Sequence, residues 1–84
     1  MMIPEGGLSR DWIVAQLKDG AITTEDLLTA WNTCLEHELT WSQARAFKNK
    51  CNRLLMQLER MDRVERVGKA MQAHAYHTCW MVRQ

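Results

Sequence analysis

Proline is almost missing from this 84-residue chain, with one copy at position 4, and glycine is sparse, at 6, 7, 20 and 68. The glycines fall between periodic segments and punctuate them, while the linker "EHEL" at 36–39 has to turn the chain without one. No repeat or low-complexity run divides the sequence, and a chain of this length builds one core at most, so residues 1–84 read as a single domain. No stretch approaches the roughly 18 consecutive apolar residues of a membrane span, which excludes a transmembrane helix and sets membranes aside as a partner. Cysteine is scarce and odd in number, at 34, 51 and 79. The opening "MMIPEGGLSRDW" has neither the basic start nor the apolar run of a secretory signal. A reduced, cytoplasmic protein is the expectation.

Catalytic and metal motifs are missing as well. No nucleophile motif, glycine-rich phosphate loop or close carboxylate pair occurs, and there is little chain from which to build a substrate cleft, so a non-enzyme is expected. His74, His77 and Cys79 cluster in "HAYHTC", but no CxxC or HxxxH pair exists, and on a strand His74 and His77 point to opposite faces. No metal and no cofactor are therefore assigned.

Net charge is also nearly absent, at +1 from eleven bases and ten acids. Its distribution is uneven. Residues 1–44 hold two bases against seven acids, net −5, whereas residues 45–69 hold eight bases against three acids, net +5. Such segregation implies a polyanion, or an acidic protein surface, facing the middle of the chain; pairing of the two halves within the molecule is the plainer alternative.

What is present is helical first. Ser9 is a good N-cap for a helix over 9–19, with Trp12, Ile13 and Leu17 on one side and Gly20 as its stop. A second helix over 24–37, capped by Thr24, repeats Leu27, Leu28, Trp31, Cys34 and Leu35 at three- and four-residue steps. Thr40-Trp41-Ser42-Gln43 has the form of a capping box for a third helix over 41–61. Ala44, Phe47, Cys51, Leu54, Leu55, Leu58 and Met61 line one face of it, and Ser42, Arg45, Ala46, Asn49, Arg53, Met56 and Arg60 the other. Trp41, just inside the cap, is expected in the core, with stacking on a base or sugar as the alternative.

After Asp62 the vocabulary becomes β-branched and aromatic, with Val64, Val67, Tyr76, Thr78, Trp80 and Val82. The pattern predicts a hairpin over 63–82, with strands at 63–68 and 76–82 and with Lys69 and His74 near its tip. The helix formers in "KAMQAHA" make a short helix over 69–75 the competitor. The fold class is mainly α with a small β-hairpin, α+β, and an all-α bundle is the alternative.

Helix, helix, capped basic helix and then "LxxLERMDRVERVG" resembles the winged helix-turn-helix family of DNA-binding domains over residues 9–82. The resemblance implies that the third helix enters the major groove of double-stranded DNA and that the hairpin is the wing. The residue chemistry agrees, since Arg bonds bidentately to guanine, Asn or Gln to adenine, and Ser and Lys hold phosphates. Ser42, Gln43, Arg45, Ala46, Asn49 and Arg53 are the candidate readers, and Lys48, Lys50, Arg66 and Lys69 the candidate phosphate clamps. The expectation is a small transcriptional or replication regulator that acts as a homodimer, because one reading helix specifies few base pairs. The alternative is a small viral or plasmid-borne protein-binding module that inhibits or redirects a host enzyme.

Overall fold

The computed structural model describes residues 8–72 and 74–83. Three helices, α1 (Arg10–Lys18), α2 (Thr24–Leu35) and α3 (Trp41–Arg60), precede two strands, β1 (Val64–Gln72) and β2 (Ala75–Val82), paired as an antiparallel hairpin. The domain is therefore α+β, and the hairpin sets aside the all-α bundle.

The helix starts follow the capping chemistry. Ser9 Oγ accepts from the Trp12 N–H, and Thr40 and Gln43 close a reciprocal box, Oγ1 accepting from the Gln43 N–H and Oε1 from the Thr40 N–H. In α2 the cap is Thr23 rather than Thr24. Thr23 Oγ1 accepts from the Asp26 N–H while the Asp26 carboxylate accepts from the Thr23 N–H, a box that Thr24 has no acid at the right spacing to make.

The helix ends are left-handed turns. Gly20, at φ 113°, closes α1 through bonds from its own N–H to Leu17 O and from the Ala21 N–H to Gln16 O. Asp62, at φ 58°, closes α3 with the same pair, Asp62 N–H to Glu59 O and Arg63 N–H to Leu58 O. The second helix stops at Leu35, two residues short of the expected 37, because Glu36 turns left-handed at φ 63°. A non-glycine residue there costs about 1–2 kcal/mol. The Asn32 side chain offsets part of that cost by accepting from the Leu39 N–H, and Leu39 packs against the core.

Trp12, Ile13, Val14 and Leu17 of α1, Leu27 of α2, Phe47, Cys51, Leu55 and Leu58 of α3, and Val64 and Trp80 of the hairpin form one buried cluster. Trp12, Trp31 and Phe47 stack within it, Trp12 standing edge-on to Trp31 at 5.2 Å between centroids. Two expectations for α3 are corrected. Met61 is half exposed, with its sulfur 3.4 Å from the Arg10 guanidinium. Trp41 is 75% exposed, because at the first helical position it lies about a quarter turn off the stripe that holds Phe47, Cys51 and Leu55.

The hairpin is longer than expected and no helix forms at 69–72. Lys69 pairs with Thr78, Ala70 with His77, Met71 with Tyr76 and Gln72 with Ala75, so cross-strand bonding overrides the helical preference of that stretch. Gln72 is also clamped onto α2, its amide donating to Asp26 Oδ1 at 3.1 Å and its Oε1 accepting from Thr23 Oγ1. His74 stands at the turn with φ 63°, as expected, whereas Lys69 sits partway along the ribbon and not at its tip. A bulge between Arg66 and Gly68 shifts the register, with Gly68 at φ 136°. On its outer edge β2 bonds the α1–α2 link, the Trp80 N–H donating to Ile22 O at 2.7 Å.

Candidate nucleic-acid interface

The outer face of α3 is continuous. Ser42, Arg45, Ala46, Asn49, Arg53, Met56 and Arg60 are all exposed, one helical face opposite the buried Phe47, Cys51, Leu55 and Leu58. Arg45, Asn49 and Arg53 follow one another at four-residue steps, one turn apart, so their side chains rise from a single ridge. Among the described residues none of Arg45, Lys50, Arg53 and Arg60 lies within ion-pairing distance of a carboxylate. Arg45 sets its guanidinium 5.5 Å from the centre of the Trp41 ring.

The other candidates are engaged within the molecule to differing degrees. Lys48 is half-buried and ion-paired with Glu25 of α2 at 2.7 Å, so one contact between the acidic and basic halves does form. Arg66 grips Glu59 through two bonds, Nε to Oε2 at 3.0 Å and Nη2 to Oε1 at 3.2 Å, and lies 5.1 Å over the Trp80 ring. Gln43 gives its carbonyl oxygen to the helix cap. Lys69 is exposed on β1. The structure thus brings Ser42, Arg45, Asn49 and Arg53 together, ties Lys48 and Arg66 to acids, and leaves Lys69 apart on the hairpin.

Partial burial pushes the Asp26 carboxyl up, but the hydrogen bonds from the Ile22 N–H, the Gln72 amide and Thr23 outweigh it and hold the group below the ordinary aspartate value. Burial pushes the Cys51 thiol up to about 12, with Lys50 pulling the other way. Cys34, Cys51 and Cys79 are buried and form no disulfide. Among the described residues no three His, Cys, Asp or Glu side chains gather where they could hold a metal ion, and no helix is long and apolar enough to cross a membrane.

Sequence reading missed one surface. Met71 and Tyr76, 62% and 70% exposed, face each other across the hairpin. Their pairing follows from the position of the turn, so the signal becomes readable only once His74 is placed in it. No protein family, curated protein or solved structure matches the chain.

Proposed function

We propose that this chain is a small winged helix-turn-helix protein that binds double-stranded DNA as a transcriptional or replication regulator, with α3 in the major groove and the hairpin as its wing. The observation that carries the reading is the ridge of Ser42, Arg45, Asn49 and Arg53, exposed and without acidic partners among the described residues. These are the side chains that bond guanine, adenine and phosphate; Ser42, Arg45 and Asn49 lie on the N-terminal half of the helix, the part that reaches base edges, and Arg53 follows one turn later. The order of elements, three helices followed by a hairpin, supports the same reading. Lys50, Arg53 and Lys69 are the phosphate contacts, since Lys48 and Arg66 are held by Glu25 and Glu59.

A mobility-shift titration against mixed-sequence duplex at two salt concentrations tests this. Affinity falls steeply with salt, and Arg53→Ala reduces the slope of log affinity against log salt by about one unit. Salt-independent binding, or an unchanged slope, refutes it. A second reading, docking on a host protein, is favoured by the exposed Met71–Tyr76 pair. Under that reading Tyr76→Ala abolishes partner binding while DNA affinity stays unmeasurable.

A further inference from the structure

We infer that Trp41 is a stacking platform for an unpaired nucleobase, so that the preferred ligand is duplex DNA continued by a single-stranded segment. The inference rests on the DNA-binding reading above and narrows its substrate.

Of the four tryptophans, Trp12 and Trp80 are buried and Trp31 is half-buried against Trp12 and Phe47, whereas Trp41 leaves three quarters of its surface in water. A planar ring of that size held out from the start of a helix, with Arg45 over one face, offers its other face for contact. The Arg45 guanidinium lies over it, 5.5 Å from its centre, and has no carboxylate in ion-pairing range among the described residues. The pair therefore combines a π-face with a positive charge, the two features that hold single strands by base stacking and phosphate attraction. The ring is the feature proposed to bind, because the cap of α3 is already closed by Thr40 and Gln43.

Stacked bases in a duplex offer only their edges to the groove, so an indole meets a base face-on only where pairing stops. The neighbouring charges set a direction. Glu36 and Glu38 lie on the turn before Thr40, whereas Arg45 and Arg53 continue along α3, so a strand stacked on Trp41 runs along the helix and away from the turn.

Three fluorescent probes of one sequence test the inference: a blunt duplex of about two helical turns, the same duplex with a short 3′ single-stranded tail, and that tail made abasic so that its phosphates remain. The wild-type protein binds the tailed probe about tenfold more tightly than the blunt one, and the abasic tail loses most of that gain. Trp41→Ala brings the ratio of tailed to blunt affinity close to one, and Trp41→Phe restores part of it, with circular dichroism checking that both variants are folded. If the abasic tail binds as well as the natural one, or if Trp41→Ala leaves the ratio unchanged, the stacking inference is overturned while DNA binding stands. A blunt duplex bound as tightly as the tailed one has the same consequence. Failure to bind any probe overturns both.

Discussion

Replacing Asp26 by asparagine is expected to loosen the start of α2 and the end of the hairpin together. The Asp26 carboxylate accepts from the Ile22 N–H at 2.9 Å, the Thr23 N–H at 3.2 Å and the Gln72 amide at 3.1 Å. The first two bonds close the helix cap and the third fixes a strand 46 residues later in the chain. A lost cap costs about 1 kcal/mol, and a hydrogen bond to a charged group about 1.5–3 kcal/mol when fully buried. Asp26 is only half-buried, so that second figure is halved here. Asparagine keeps one acceptor oxygen, which places Asp26→Asn at about 1–2 kcal/mol and Asp26→Ala at about 2–3 kcal/mol. In a domain of this size each kcal/mol moves Tm by roughly 4–8 °C. The charge also gives the effect a pH signature. The folded-state pKa of Asp26 is depressed, so its contribution is complete above the unfolded value of about 3.9 and is lost as pH falls through the folded value. Urea unfolding of both proteins from about pH 7 to about pH 2 isolates it, because the other carboxylates titrate alike in each. The stability gap present at neutral pH closes at the acid end. A gap that persists unchanged at low pH, or no gap at neutral pH, refutes the reasoning.

Leu55, fully buried in the central cluster, costs about 3–5 kcal/mol as Leu55→Ala, and a melting temperature within a couple of degrees of wild type would contradict the packing of α3 described above. Gly68→Ala destabilises by about 1–2 kcal/mol through its φ of 136° alone, since an added Cβ meets no atom within 4 Å; equal denaturant midpoints would show that the bulge relaxes. Cys51, buried and with its thiol pushed up to about 12, reacts with a thiol reagent only under unfolding conditions, and rapid labelling of the native protein would contradict that. Arg66→Ala lowers stability by about 1 kcal/mol through loss of the Glu59 bonds and the Trp80 contact, leaving the salt slope of the proposed DNA binding unchanged; a drop of one unit in the slope would return Arg66 to the phosphate contacts.

Much of the fold is written in local signals. Ser9, Thr40 and Gln43 announce two helix starts because capping needs only a side chain and an amide three positions apart, and Gly20 announces a stop because it alone enters φ 113° without cost. Where the reading slipped, the deciding contact lies far away in sequence. The strands extend to Gln72 and from Ala75 because Gln72 meets Thr23 and Asp26, and nothing within "KAMQAHA" reports those partners. Glu36 and Asp62 take left-handed turns that glycine would mark, and His74 does so at the hairpin turn. At Glu36 and Asp62 no glycine marks the turn, because packing of Leu39 after the first and burial of Leu58 and Val64 around the second compensate for strain at the turn residue.

The candidate site divides along the same line. Ser42, Arg45, Asn49 and Arg53 are readable as one exposed ridge from helical periodicity, since each lies on the side of α3 opposite Phe47, Cys51 and Leu55. The same periodicity distinguishes Lys48 from them: it precedes Cys51 by three residues and Leu55 by seven, which puts it at the border of the buried face and within reach of Glu25 on α2. Its border position was therefore legible, whereas its partner, 23 residues earlier on another helix, was not. Arg66 is different. It reaches Glu59 only because the chain reverses through Met61, Asp62 and Arg63 into β1, a corner whose geometry comes from the left-handed Asp62 and the bonds to Leu58 and Glu59. Segregated charge in a sequence thus overstates the free basic surface, because acids brought close by the fold engage the bases at its edges first. The bases left over, on the outward ridge of α3, are the ones that can meet a polyanion.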